Sequence, residues 1–134
     1  MSGWRWKATS YQQTAIFTVP FTAAPGAPAR NLTAALDRPA EQPSWRADGS
    51  GVHFLYQDRG VNRVGFAGLD ARLSVQVAEV GNTRLLLPST SGGTFSAARG
   101  AFAYPSVEAD RPAVLALTRR GRETALLDLN AAWA

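Results

Sequence analysis

Pro43-Ser44-Trp45-Arg46-Ala47-Asp48-Gly49-Ser50-Gly51-Val52-His53-Phe54-Leu55-Tyr56 reads as two β-strands folded about a turn. Asp48-Gly49 supplies the positive backbone angles of a tight hairpin, and the run that follows is rich in the β-branched and aromatic residues that suit a pleated surface. Val52 to Tyr56 is nearly apolar, with His53 the exception. A run of that kind suits a middle strand covered on both faces.

The same grammar returns at Gly93-Thr94-Phe95-Ser96-Ala97-Ala98-Arg99-Gly100-Ala101-Phe102-Ala103-Tyr104: a short strand, a glycine turn, an aromatic strand. Aligning Gly51 with Gly100 gives a period of 49 residues, close to the roughly 40 to 50 of one four-stranded propeller blade. One unit is predicted from strands at Ser44 to Ala47, Val52 to Gln57, Arg63 to Ala67 and Ser74 to Val80. A second comes from Thr94 to Ala97, Ala101 to Ser106, Val114 to Thr118 and Thr124 to Leu129, with Arg84 to Leu87 an extra strand or a linker. Ahead of both, Ala15 to Phe21 and Arg30 to Thr33 read as outer strands of a blade whose beginning is either cut off or sits near Trp4 to Ser10.

Leu36 to Gln42 is predicted as a connecting loop, because Pro39 and Pro43 oppose a helix or a central strand. Helical periodicity is sustained nowhere; Leu32 to Leu36 is the best helical stretch and Asn130 to Ala134 the next. The expected fold is therefore all-β, a partial β-propeller of about three four-stranded antiparallel blades. Residues 1–42 form an incomplete blade, 43–83 a full one, and 84–134 the last blade with its exit segment.

With 134 residues and 46% hydrophobic content the chain suits one folded domain. The lack of cysteine excludes disulfides, cysteine-based zinc sites and thiol nucleophiles. Met1-Ser2-Gly3-Trp4-Arg5-Trp6-Lys7 has no apolar core of signal-peptide length, and no stretch approaches the roughly 20 apolar residues of a membrane span. A cytoplasmic protein without a membrane partner is the expectation. The net charge of +4 is carried by arginine, Lys7 being the only lysine. The arginines are scattered over turns and strand ends, except Arg119, Arg120 and Arg122 around Gly121, which read as a solvated hairpin tip and not a phosphate site. No nucleic-acid partner is expected.

His53 is the only histidine. A Ser/His/Asp triad would need it, yet no Gly-x-Ser-x-Gly elbow is present, so it reads as a core or interface residue. One histidine without cysteine does not make a transition-metal site. Ser91-Gly92-Gly93-Thr94 lacks the lysine and the following helix of a phosphate loop. Asn31-Leu32-Thr33 fits the glycosylation pattern, which carries little without a secretory signal. Asp58-Arg59 and Asp110-Arg111 occupy equivalent places after second strands and are expected to form ion pairs that fix the turns. Trp4, Arg5 and Trp6 read as the start of a strand before they read as a base-stacking group. No catalytic, cofactor-binding or metal-binding residue is assigned, and no cofactor is expected.

Three runs carry a family resemblance: Arg30 to Thr33, Pro43 to Gly49, and Phe54-Leu55-Tyr56-Gln57-Asp58-Arg59-Gly60-Val61-Asn62-Arg63-Val64. Together they resemble the propeller of prolyl oligopeptidase-family serine peptidases, the acylaminoacyl-peptidase-like members above all. Ala109 to Ala113 and Leu126 to Asn130 look like that propeller's last blade and its exit toward the catalytic domain. Arg46-Ala47 stands where that family usually has Ser-Pro. The resemblance implies a non-catalytic propeller segment whose intact form gates peptide access to an α/β-hydrolase domain. Its blade faces would self-associate, with peptide substrate or the hydrolase domain as further partners. The alternative is a TolB-like propeller module that binds a protein or peptide.

Overall fold

The computed structural model describes residues 14–77, 94–108, 111–128 and 131, and within them the chain is all-β. Two minimal strands come first, β1 (Phe17–Thr18) and β2 (Arg30–Asn31). The meander β3 (Ala40–Trp45), β4 (Gly51–Asp58), β5 (Val61–Gly68) and β6 (Leu73–Val77) follows. A second meander comprises β7 (Ser96–Ala98), β8 (Ala101–Glu108), β9 (Arg111–Arg119) and β10 (Arg122–Leu127). Each meander is one four-stranded antiparallel sheet with neighbours in chain order, and β1 pairs with β2 in a third sheet. Among the described residues the sheets are not closed into a ring. The units among the described residues are two sheets of four strands and one of two, and the expected start of the incomplete first unit near Trp4 to Ser10 lies outside them.

Local chemistry explains the turns. At Arg59-Gly60, Arg99-Gly100 and Arg120-Gly121 both central residues have positive φ, between 49° and 77°, as two-residue hairpins matched to strand twist require. Asp48-Gly49 works differently: only Gly49 has positive φ, at 72°. The Asp48 carboxylate accepts the Ser50 N–H at 2.9 Å, so the loop is a longer Asx-type turn.

Several expectations need correction. β3 begins at Ala40 inside the predicted loop, because the strand lies at a sheet edge. The register shifts between Glu41 and Ser44, Gln42 takes φ 51°, and Pro43 with no N–H sits in that bulge. Leu32 to Leu36 is a turn closed by Leu36 N–H on Thr33 C=O, with no helix. The side chain of Asn31 accepts from Thr33 N at 2.9 Å, and Thr33 Oγ1 takes the Ile16 N–H at 3.1 Å. The glycosylation-like triplet is therefore tied into the buried join between β1 and β2. Asp58 pairs with Arg38 at 3.0 Å and Arg63 at 3.6 Å in place of Arg59. Arg59 occupies the positive-φ turn. The expectations for Trp4 to Ser10, Arg84 to Leu87, Ser91 to Gly93, the Asp110-Arg111 pair and Ala132 to Ala134 lie outside the described residues.

Gly51 and Gly100 are not equivalent either. Gly51 is the first residue of β4, whereas Gly100 lies in the turn before β8. The matching first residues are Gly51 and Ala101, 50 residues apart.

Two apolar clusters stack the three sheets. Ile16, Leu32, Ala40, Val52, Phe54 and Ala67 join β1 and β2 to one face of the middle sheet. Leu55, Val64, Val77, Phe102, Tyr104 and Ala116 join its other face to the last sheet. The uninterrupted burial of Gly51 to Leu55 follows from that double covering.

Candidate functional site

In a meander, alternate hairpins point to the same end. The β3–β4 and β5–β6 loops of the middle sheet lie at one end, as do the β7–β8 and β9–β10 turns of the last sheet. His53, near the start of β4, touches Phe102, near the start of β8, with ring centroids 4.9 Å apart, so these two ends coincide. Six arginines converge there: Arg46, Arg72, Arg99, Arg119, Arg120 and Arg122. Asp48, Asp70 and Glu123 are the carboxylates on the same loops and strand starts. That end holds most of the chain's excess positive charge. Arg119, Arg120 and Arg122 are already neighbours in the sequence, whereas Arg46, Arg72 and Arg99 join them only through which hairpins share an end and how the two sheets align.

The middle sheet's two loops at this end are hydrogen-bonded to each other, Leu69 N–H to Ser50 C=O at 3.1 Å. Between them lies an open hollow of about 450 Å³ lined by Arg46, Ser50, Phe66, Leu69, Asp70 and Arg72 among others. Arg46 lies with its guanidinium 5.4 Å from the centre of the Phe66 ring and its Nε 3.4 Å from Asp48. Arg72 Nε lies 3.4 Å from Asp70, whose carboxylate also accepts the Arg72 N–H at 3.1 Å. The hydroxyl and N–H of Ser50 both donate to Asp48 and hold its carboxyl below the usual value. These exposed pairs orient the side chains and contribute little to stability.

In the last sheet the register puts Arg119 directly opposite Arg122, across the turn that carries Arg120. Like charges opposite one another in a sheet repel. Glu123 faces the other way, toward Thr118, where it accepts the hydroxyl of buried Tyr104. Tyr104 and Thr118 are also hydrogen-bonded at 2.6 Å.

His53 sits below the hollow as the interface residue expected. It is buried between Phe66, at a centroid distance of 5.1 Å, and Phe102. Its Nδ1 has no hydrogen-bond partner among the described residues. Burial first, and the Arg46 charge second, push its pKa below 6.5, while Asp48 acts weakly the other way. Across β3 the register sets Ser44 opposite His53, and the two phenyl rings flank the imidazole. Among the described residues no group of three His, Asp or Glu side chains could hold a metal ion, and no helix is long and apolar enough to cross a membrane.

Trp45, 60% exposed, and Leu69, 44% exposed, add apolar surface to the arginine-bearing end. No family model, curated protein or solved structure matches the chain.

Proposed function

We propose that the chain is a non-catalytic β-propeller segment of the kind found in prolyl oligopeptidase-family peptidases, acting by binding and by gating. The observation that carries this reading is a repeated packing polarity. Val52 and Phe54, the second and fourth residues of β4, face the sheet before; Phe102 and Tyr104, the second and fourth of β8, also face the sheet before. Serial units that each turn the same face backward are the packing of propeller blades. The peptidase likeness rests on the sequence runs alone, and the buried setting of His53 supports a role without hydrolysis.

The same polarity gives the last sheet an outward face built from Ala103, Pro105, Leu115 and Leu117, with Leu115 42% exposed. Apolar faces that no described residue covers tend to associate. A second copy, stacked head to tail on that face, is the proposed occupant, because the next unit in the series would meet it with the same backward-facing surface. Size-exclusion chromatography with light scattering tests this: Leu115→Glu is expected to yield a monomer where the parent forms oligomers. A parent that stays monomeric at high concentration overturns the stacking. Turnover of acyl-amino-acid or nitrophenyl ester substrates that disappears in His53→Ala would overturn the non-catalytic reading.

A second reading, a TolB-like module for a protein or peptide partner, is favoured by the arginine-lined hollow at one end of the middle sheet.

A further inference from the structure

We infer that the arginine-tipped end of the two four-stranded sheets docks an acidic peptide segment, its carboxylates on the arginines and one apolar side chain in the hollow beside Leu69. The inference rests on the binding role proposed above and names the chemistry of the partner.

Three observations converge. The first is charge: six arginines against three carboxylates at one end, with Asp48 and Asp70 already engaged by Ser50, Arg46 and Arg72. Arg99, Arg119, Arg120 and Arg122 form no ion pair with any described carboxylate. Second, the Arg119 and Arg122 pair is held in mutual repulsion by the hairpin register, at the tip of the last sheet's outward face and beyond the Leu115 and Leu117 that a stacked copy would cover. A bound carboxylate between two guanidinium groups removes that repulsion, and the planar fork of arginine accepts it through two parallel hydrogen bonds. Third, the hollow between the Ser50 and Leu69 loops offers Phe66 and Leu69 as its apolar wall and Arg72, 90% exposed, as its rim. About 450 Å³ takes one large side chain.

A peptide fits better than a nucleic acid. The carboxylates of Asp48 and Asp70 sit among the arginines and repel a continuous row of phosphates, whereas a peptide's carboxylates are separated by neutral residues and can avoid them. The exposed apolar surface of Trp45 and Leu69 suits side chains between acidic positions.

The test is a fluorescence-anisotropy titration of the full chain with a fluorescein-labelled peptide of repeated Glu-Glu-Leu, run beside its Gln-Gln-Leu counterpart and a labelled oligothymidylate. Saturable binding of the acidic peptide alone, weakened by added salt, is expected. Arg72→Glu combined with Arg99→Glu and Arg120→Glu should weaken it about tenfold or more. Arg59→Glu, at the opposite end of β4 and β5, should leave it unchanged, and circular dichroism confirms that each variant is folded. Absence of saturable acidic-peptide binding, equal loss in Arg59→Glu, or tighter binding of oligothymidylate overturns the inference. Mass analysis of the recovered peptide separates the two readings: an intact peptide that never bound removes only this partner, whereas a cleaved one removes the non-catalytic role.

Discussion

The imidazole of His53 meets the ring of Phe102 edge to face, with centroids 4.9 Å apart and planes at 85°. That contact links the second strands of the two four-stranded sheets and places the chain's lone histidine in their shared interface. The pKa of His53 is lowered in the folded state by burial and by Arg46, so the unfolded chain binds the proton more readily. Its contribution is complete above 6.5, the ordinary value, and is lost as pH falls from there toward the lower folded value.

Urea unfolding at a series of pH values is expected to show stability falling below about pH 6.5. His53→Leu should reduce that slope and unfold no more easily than the parent at neutral pH, since it removes a buried nitrogen without a partner. An unchanged slope in the variant would place the acid sensitivity elsewhere.

Truncating the other ring tests the stacking of the sheets. Phe102 is 5% exposed and belongs to the cluster shared with Leu55 and Val64. Phe102→Ala should cost about 3 kcal/mol by chemical denaturation. A cost below about 1 kcal/mol would mean that the two sheets do not depend on each other.

Tyr104 is 1% exposed, and its hydroxyl reaches both Thr118 and Glu123. Tyr104→Phe keeps the ring but leaves two oxygen partners without it, and about 1 to 2 kcal/mol of stability should go. Thr118→Val and Tyr104→Phe should combine to less than the sum of their separate costs. Full additivity would argue against a shared network.

The two glycines that align in sequence should behave differently. A Cβ on Gly51 would overlap the carbonyl oxygen of Ala67 and lie 2.6 Å from Cζ of Phe66. Gly51→Ala should therefore cost about 3 kcal/mol by displacing backbone. Gly100 has open space around it but φ +74°, so Gly100→Ala should cost about 1 kcal/mol of left-handed strain. Thermal or urea melts with equal losses would restore the equivalence that the sequence implies.

Alternation, turn chemistry and the apolar run Val52 to Leu55 made the two meanders legible, since each hairpin depends on residues close in the chain. What misled at Leu36 to Gln42 was Pro43, read as a barrier to a central strand although it sits in a bulge on an edge strand, a position set by neighbours the local sequence does not name. The repeated place of Asp58-Arg59 after a second strand points to an ion pair at the turn, yet the turn takes Arg59 away, and Arg38 and Arg63 arrive from the preceding loop and the facing strand. The site was the least legible part. Arg46, Arg72, Arg99 and Arg119 to Arg122 span more than half the chain, and no local motif unites them.

By itself the sequence determined the all-β class, most of the hairpins and the buried setting of His53, because turn geometry and strand patterning are decided within a few residues. Only the tertiary structure decided which face each sheet turns to the next and which hairpin tips share an end. Those depend on how whole sheets pack through Leu55, Val64, Phe102 and Tyr104, side chains whose partners lie up to some fifty residues away along the chain.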